Sequence, residues 1–291
     1  MKRTRESVGA GVSSAHDRVR ERSREGSAPS VHGTAVVDAR AQLGDGVVVG
    51  PYCVIGPEVV VGRDSVLMSH VVLSGPLVLG ERCMMHPFSV VGGAPQVRAD
   101  DGARARGAAS GSVALGDDVT VREGVTVHRG TEGRITTVGS RVLLMAQAHV
   151  GHDARLGSSV VVAHGVQLAG HAVIEDYVTF GGLAGVAQHV RIGESAFVAA
   201  GAMCEVDVPP FVIVQGDRAR VRALNKIGLA RRGTPAASIK ALEHAFRHLY
   251  VKRGVTRLEA LATIGVVTDP YVARLLAFVQ DTRQIPAIQG K

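Results

Sequence analysis

The fold of this 291-residue chain is decided by a stretch that reads, from residue 43 to residue 62, LGDGVVVGPYCVIGPEVVVG. An aliphatic residue occupies every sixth position and a glycine follows each one: Leu43, Val49, Ile55 and Val61. A period of six fits neither the 3.6-residue turn of an α-helix nor the two-residue alternation of an ordinary strand. It is typical of hexapeptide repeats, which coil into a parallel β-helix.

The same period extends outward from this stretch over most of the chain. It runs from Leu43 to Val91, returns at Leu115, and after a five-residue shift continues from Val138 to Val198. Three hexads make one triangular coil, so residues 18 positions apart should stack at the spacing of neighbouring strands, roughly 4.8 Å. We therefore predict a mainly β chain, a left-handed parallel β-helix with its repeat aliphatics inside and its glycines at corners with positive φ.

The ends of the chain follow other patterns. Residues 1–30 are rich in Arg, Ser and Gly and predict a disordered basic extension, so the β-helix is expected over residues 31–210. After Val208-Pro209-Pro210 the apolar spacing becomes helical, and Thr234-Pro235 is a typical helix start. Residues 211–291 should form a small helical domain that covers the open end of the solenoid. Residues 93–111 and 128–137 interrupt the repeat and predict loops, where functional residues are often placed.

Composition narrows the class of protein. Hydrophobic residues make up 46% of the chain but aromatic residues only 3%, and there is no Trp, which suits a narrow aliphatic core. The net charge of +7 is compatible with nucleic acid, an anionic surface, or an acidic small-molecule or protein partner, and the scarce aromatics argue against nucleic acid, since single strands bind by stacking. The three cysteines form no CxxC motif and predict buried thiols. With no secretory segment and no apolar run that could span a membrane, the sequence favours a cytoplasmic protein.

Histidines concentrate in the second half of the repeat. Six of the twelve fall between residues 128 and 189, and the densest run is His149-Val150-Gly151-His152-Asp153. The 18-residue spacing places Gly170 against His152, and His171 against Asp153, on the outer surface of the coil. An imidazole beside a carboxylate can act as a general base, and a backbone N–H at a glycine can stabilise an oxyanion. Without a Ser or Cys nucleophile in this run, the set favours direct acyl transfer to a bound hydroxyl.

Two other interpretations of these histidines stay open at this point. They could be solvent-exposed corner residues without a chemical role. Alternatively, His149 and His152 are three positions apart and His171 lies one coil away, so the three could supply nitrogen ligands to a metal shared between subunits.

Several strings make the chain resemble a known family, the bacterial acyl-carrier-protein–UDP-N-acetylglucosamine O-acyltransferases, which begin lipid A synthesis. The resemblance covers residue 31 to the end. Its strings include Leu168-Ala169-Gly170-His171. Three others are specific in combination: His128-Arg129-Gly130-Thr131, the His-x-x-His-Asp string from His149 to Asp153, and Arg231-Arg232-Gly233.

The resemblance implies a homotrimer with active sites between neighbouring solenoids, and no cofactor or metal. It implies acyl carrier protein as the acyl donor and the 3-hydroxyl of UDP-N-acetylglucosamine as the acceptor. His152 would be the general base, Asp153 would orient it, and the Gly170 N–H would hold the oxyanion. Ala200 would lie near the position that limits acyl length. The implied substrate-binding residues are His149, His171, Gln188, Asn225, Arg231 and Arg232.

The chain departs from the family pattern where the acceptor would be recognised. After Pro95-Gln96 the family usually continues Asp-Leu-Lys-Tyr, but here Val97 and Ala99 stand where that Asp and that Lys would. Ala187 replaces a common His, and Ile227 replaces a common Glu. Two further hypotheses follow: the same chemistry on a different nucleotide sugar, or a non-catalytic paralogue that binds a nucleotide sugar or carrier protein. A related N-acyltransferase would carry an extra N-terminal domain, which residues 1–30 are too short to form.

Overall fold

A computed structural model describes residues 27–97, 111–252, 256–265 and 267–281. Most of the extension predicted over residues 1–30 lies outside these ranges, as do residues 98–110 of the first predicted loop. The first described strand of the coil is Ser30–Val31.

The strands of the described chain form three sheets, one on each side of a triangular coil. The first sheet consists of β1 (Ser30–Val31), β4 (Val48–Val49), β7 (Val66–Leu67), β10 (Met84–Met85), β13 (Thr120–Val121), β16 (Leu143–Leu144), β19 (Val161–Val162), β22 (Thr179–Phe180), β25 (Phe197–Val198), β27 (Val212–Gln215) and β28 (Arg220–Leu224). The second consists of β2 (Val36–Val37), β5 (Val54–Ile55), β8 (Val72–Leu73), β11 (Val90–Gly93), β14 (Thr126–His128), β17 (His149–Val150), β20 (Gln167–Leu168), β23 (Gly185–Val186) and β26 (Met203–Cys204). The third consists of β3 (Gln42–Leu43), β6 (Val59–Val61), β9 (Leu77–Leu79), β12 (Ser112–Leu115), β15 (Ile135–Val138), β18 (Arg155–Leu156), β21 (Val173–Ile174) and β24 (Arg191–Ile192).

Strands that stack are parallel and, in the regular coils, 18 residues apart, as predicted. Val48 pairs with Val66, and Leu144 pairs with Val162. The spacing changes at three places, one of which is the last pair of the coil, where Phe197 pairs with Ile213 only 16 positions later. Val113 of β12 pairs with Leu77 of β9, 36 positions earlier, so the loop before β12 inserts one coil's length of chain. Because that insertion is a multiple of six, it leaves the sequence period in phase. Thr126 pairs with His149, 23 positions later, which is the predicted five-residue shift.

Each hexad sends two residues into the prism, one from the strand and one just before it. Val160 and Val162 are fully buried in this way. The predicted burial of the cysteines is confirmed, since Cys53, Cys83 and Cys204 are free thiols in the same core. Burial raises the pKa of Cys83 to about 11 and that of Cys204 to about 12, so neither is a nucleophile at neutral pH.

The expected reason for the repeat glycines is wrong. Apart from Gly92, those that follow a repeat aliphatic in the first run do not have positive φ; the left-handed corner position is instead filled by residues such as Asp64 and His171. The glycines are needed because the next coil passes close by. A Cβ on Gly62 would lie 2.5 Å from the carbonyl carbon of Gly80, and one on Gly50 would lie 2.9 Å from that of Met68.

Beyond residue 210 the chain is not helical at once, contrary to expectation. Strand β27 continues the first sheet parallel to β25, and β28 turns back antiparallel to it. Helices then follow in the described part of the chain: α1 (Lys226–Arg231), α2 (Ala236–Phe246) with a π-helical extension over Arg247–Val251, α3 (Arg257–Ile264) and α4 (Pro270–Asp281). The predicted starts near Thr234, at Thr256 and at Asp269 are confirmed.

The last helix docks on the end of the solenoid. Arg274 of α4 reaches Glu175 at 2.8 Å, and Arg191 of β24 lies over the ring of Phe278 at 3.9 Å. The helical segment therefore shares one apolar core with the last coils. Within the described ranges, none of the helices combines the length and the apolar character needed to cross a membrane.

Candidate active site

The histidine run lies on one edge of the prism, at the corner between the second and third sheets. Residues 152 and 153 form the turn after β17, residues 170 and 171 the turn after β20, and residues 188 and 189 the turn after β23. The backbone joins these turns, since the N–H of His171 donates to the carbonyl of His152 at 2.9 Å. The spacing of 18 therefore brings His152 to Gly170 and Asp153 to His171.

His152 and Asp153 form a close pair. Nδ1 of His152 lies 2.7 Å from Oδ2 of Asp153. The two side chains point away from the prism, as predicted, but they do not lie on the outer surface, because 12% and 4% of them is exposed. The segment that carries the five-residue shift folds over them and excludes most of the solvent.

Thr131 of that segment anchors the carboxylate. Its backbone N–H donates to Oδ1 of Asp153 at 3.0 Å, and its hydroxyl donates to Oδ2 at 2.9 Å. The N–H of Asp153 donates to Thr136 Oγ1 at 2.8 Å. Burial alone would raise the pKa of Asp153, but the hydrogen bonds from His152 and Thr131 outweigh it and hold the pKa below its usual value. Asp153 is thus an ionised acceptor at neutral pH.

An acceptor-only carboxylate fixes the tautomer of the histidine. Nδ1 of His152 must carry the proton that it donates to Asp153, which leaves a lone pair on Nε2. That nitrogen lies over Gly170, where a Cβ would be only 2.7 Å from it. Because Gly170 has no side chain, the basic nitrogen stands directly above the backbone of the next coil.

The Gly170 N–H is available to a ligand. In other coils the N–H of the first turn residue donates to an acidic side chain: that of Ser158 to Asp176 at 2.8 Å, and that of Glu194 to Glu175 at 2.8 Å. Among the residues that the structure describes, no group accepts the N–H of Gly170. A basic nitrogen and an unused backbone donor thus lie side by side, as a base and an oxyanion donor require.

These groups open onto a cleft of about 490 Å³ that runs along the second sheet. His149 of β17 lies on its floor, and Nδ1 of that residue is 2.8 Å from the Thr126 hydroxyl. Gln188 is exposed in the turn after β23 and also lines the cleft. The other lining residues are Gln96, His128, Gly151, His152, Gln167, Ala169, Gly170, Gly185, Val186, Ala187, Met203, Cys204, Glu205 and Asp217.

A second imidazole pair lies on the cleft floor. The rings of His128 and His149 meet edge to face with centroids 4.9 Å apart. Burial lowers the pKa of both, and nearby histidines lower it further, His152 for His128, and His128 and His152 for His149. Both rings are therefore neutral at pH 7, and neither places a positive charge beside His152.

His171 flanks the pair of His152 and Asp153 from outside the cleft. Its Nε2 is 3.5 Å from Oδ2 of Asp153, and its ring meets that of His152 edge to face at 5.1 Å. It does not line the cleft in this chain, although the resemblance implied a substrate contact.

The predicted nucleotide-binding residues lie at a different corner, between the third and first sheets. Asn225 caps α1 by accepting the Gly228 N–H at 3.0 Å, and its amide donates to Ser195 O at 2.9 Å. Arg232 bonds to Ser195 and pairs with Glu194 at 2.7 Å. Arg231 is exposed beside them. Within one chain these residues do not reach the cleft.

The residues at which the chain departs from the family pattern also lie in different parts of the structure. Ala187 is exposed on the cleft wall, and Val97, 46% exposed, follows cleft residue Gln96. Ile227 is 67% exposed on α1, and Ala99 lies outside the described residues. Ala200 is exposed at the corner between the first and second sheets.

The structure brings together a different set of possible metal ligands from the one expected from the sequence. In the described ranges, His152, Asp153 and His171 form the group of three residues whose possible ligand atoms all lie within 4.8 Å of one another. His149 is not in that group. A metal there would have to displace the 2.7 Å hydrogen bond between His152 and Asp153. The donor set fits a hydrogen-bonded base better than a metal.

Thr131 was not among the residues selected from the sequence. The five-residue shift could have pointed to it. In the coil that carries the shift, stacked residues are 23 apart instead of 18, so the residue under Asp153 is residue 130, next to Thr131, and not residue 135. The cleft residues Gln96, Glu205 and Asp217 were also missed, because they come from turns with no hexad signature.

Comparison with known proteins gives consistent matches. A family model described as UDP N-acetylglucosamine O-acyltransferase, domain 2, matches residues 207–286. The acyl-[acyl-carrier-protein]–UDP-N-acetylglucosamine O-acyltransferase of Thermodesulfovibrio yellowstonii is 36% identical over 258 residues, which are 87% of this chain and 97% of that protein. The protein of the same name from Saccharophagus degradans is 43% identical over 232 residues, 79% of this chain and 87% of that one.

Solved structures give the same picture. UDP-N-acetylglucosamine acyltransferase from Francisella novicida superposes with a TM-score of 0.82 at 30% identity and covers 90% of this chain and 95% of its own. LpxA from Acinetobacter baumannii superposes with a TM-score of 0.81 at 29% identity, over 89% and 99% of the two chains. The predicted left-handed parallel β-helix with a small C-terminal helical part is confirmed.

Proposed function

Because the chain belongs to the acyl-[acyl-carrier-protein]–UDP-N-acetylglucosamine O-acyltransferases, we propose that its cleft transfers a fatty acyl group from acyl carrier protein to the 3-hydroxyl of UDP-N-acetylglucosamine. The transfer is the first committed acylation toward lipid A. The observation that carries the proposal is the position of His152, whose free Nε2 stands over an unused N–H of Gly170.

The first step is proton removal from the acceptor. Nε2 of His152 takes the hydroxyl proton while the oxygen attacks the thioester carbonyl carbon. The imidazolium that forms is stabilised by the ionised Asp153, to which it donates at 2.7 Å. Since Asp153 is itself held by two hydrogen bonds from Thr131, the ring needs no reorganisation during the step.

The second step is collapse of the tetrahedral intermediate. The Gly170 N–H donates to the oxyanion, the C–S bond breaks, and the thiolate of the carrier protein takes the proton back from Nε2 of His152. The product is an oxygen ester and a free thiol. Only protons and an acyl group move, so the steps call for no electron carrier.

Product analysis tests this proposal. The protein is incubated with acyl carrier protein donors of different chain length and UDP-N-acetylglucosamine, and the ester is located by mass spectrometry. His152→Ala should lower kcat at least about a hundredfold, the lower range for loss of a general base. His164→Ala is the matched control, because His164 is the first turn residue at another corner and is exposed. Near-wild-type turnover by the His152 variant would rule out the assignment.

A related nucleotide sugar is the second candidate acceptor. Ala187 and Val97 leave small or apolar side chains at and beside the cleft wall, where the family commonly carries polar ones. Competition between UDP-N-acetylglucosamine and other nucleotide sugars, with one acyl donor, decides between the two. Binding of a nucleotide sugar with no product from any donor would instead favour a non-catalytic paralogue.

A homotrimer with shared active sites is the third part of the proposal. The cleft is open, and Arg231 and Asn225 stand at a different corner from His152, so a neighbouring copy is the natural source of a nucleotide contact. Co-refolded His152→Ala and Arg231→Ala chains test this. If the residues come from different protomers, a one-to-one mixture regains about a quarter of wild-type activity, because random assembly restores some intact sites. If they come from one protomer, nothing returns.

A further inference from the structure

His189 is a side chain that the function described above does not use, and it lies at the end of a column that begins with Asp153. Asp153, His171 and His189 occupy the same corner position in three successive coils, and their φ angles are 61°, 61° and 64°. Equal backbone geometry makes their side chains leave the coil in the same direction, at about the 4.8 Å spacing of strands. Accordingly the rings of His171 and His189 stack face to face, with centroids 4.4 Å apart and an interplanar angle of 10°.

This stack repeats a rule seen elsewhere in the fold. Tyr52, His70 and Phe88 fill the left-handed position in three coils at another corner, and their rings stack at 5.1 Å and 5.0 Å. Rings at this position, 18 residues apart, therefore stack without help from other groups. The pair at the catalytic corner is more nearly parallel and closer than either of those contacts.

His171 needs this restraint. Its Nε2 is 3.5 Å from Oδ2 of Asp153, beyond the roughly 2.7–2.9 Å of a charge-assisted hydrogen bond. Oδ2 already accepts from His152 at 2.7 Å and from Thr131 at 2.9 Å. Among the described residues, the imidazole of His171 makes no hydrogen bond of ordinary geometry. Its position thus depends on ring contacts with His152 and His189.

We propose that His189 is a positioning residue for the acyl transfer: its ring stacks on His171 and holds it away from Oδ2 of Asp153, which keeps that oxygen for His152. A released His171 ring can move closer and donate its own N–H to Oδ2. The bond from His152 would then share its acceptor with a second imidazole, and the tautomer that leaves Nε2 free would be less strongly enforced. This inference rests on the proposed function, although the stack itself can be tested without turnover.

The test compares His189→Ala with His189→Phe. The alanine variant removes the stack, whereas phenylalanine keeps an aromatic face without a titrating group. Leu183→Ala is the matched control for backbone effects, because Leu183 is exposed and has φ of 60° at the equivalent position of another corner. We expect His189→Ala to lower kcat roughly two- to tenfold, the range for loss of one aromatic contact. KM for both substrates should stay within about twofold, since the stack lies outside the cleft, and His189→Phe should restore kcat.

A spectroscopic measurement accompanies the kinetics. With histidine labelled at Cε1, the resonance of His171 is assigned by its loss in His171→Gln. It should move in His189→Ala and keep its ring-current shift in His189→Phe. The proposal requires that kcat and the His171 resonance both change in His189→Ala. A normal kcat or an unmoved resonance in that variant would overturn it, as would a His189→Phe protein that is as slow as His189→Ala. Full activity of His152→Ala would refute the catalytic assignment instead, and the resonance would still report on the stack.

Discussion

Gly170→Ala gives a direct test of the catalytic geometry. A Cβ at this position would lie 2.7 Å from both Cε1 and Nε2 of His152, and its three nearest atoms all belong to that ring. Ordinary contact begins near 3.4 Å, so the imidazole must move by about 0.7 Å. The backbone is not obstructed, and the fold should therefore survive while the base is displaced.

A misplacement of about 1 Å at a reacting group costs up to about a hundredfold in rate, so we expect kcat of Gly170→Ala to fall by roughly ten- to a hundredfold. Steady-state kinetics with acyl carrier protein thioester and UDP-N-acetylglucosamine measure the loss, and thermal unfolding checks the fold. Gly182→Ala is the control, because Gly182 is the first turn residue at another corner and its Cβ would meet only a carbonyl oxygen at 3.5 Å. A folded Gly170→Ala protein with kcat within twofold of wild type would refute the placement of His152 over Gly170.

Three other perturbations have definite expected results. Thr131→Val removes the hydroxyl that donates to Asp153 at 2.9 Å and should lower kcat by about tenfold with little change in KM, which steady-state kinetics measure. Stability should fall as the pH drops below about 6.5, because the pKa values of His128 and His149 are lowered in the fold and unfolding then takes up protons; a urea midpoint at pH 5.5 that equals or exceeds the midpoint at pH 7.5 would contradict this. Gly62→Ala places a Cβ 2.5 Å from backbone atoms of the next coil and should destabilise by about 2 kcal/mol or more, whereas an unchanged urea midpoint would contradict the close-approach argument.

Most of the fold could be predicted from the six-residue period. Burial of every sixth residue inside the prism requires an aliphatic side chain at each repeat, so the pattern is visible directly in the sequence, as at Leu156 and Val162. The loop before β12 was harder to interpret, because an insertion of one coil's length leaves the period in phase and hides the jump from Leu77 to Val113. The strands after residue 210 were missed since the hexad signal ends before them.

The catalytic neighbours could be predicted because stacking in a coil depends only on residue number. For this reason the 18-residue spacing correctly predicts that Gly170 lies against His152. The prediction that His152 and Asp153 lie on the outer surface is wrong, because solvent exposure depends on which segment folds over the corner. Thr131 provides that cover; the 23-residue spacing places its neighbour, residue 130, under Asp153, but the hexad pattern does not show that Thr131 turns its N–H and hydroxyl toward the carboxylate.

The sequence by itself determined the coil, its register and the column of residues from which the site is built, because each is a local repeat property that one chain position imposes on the next. Only the tertiary structure decided the state of that site: which nitrogen of His152 is free, how Asp153 is shielded, and that Asn225 and Arg232 stand at another corner. These depend on contacts between segments without common periodicity, whose meeting is fixed by packing in three dimensions.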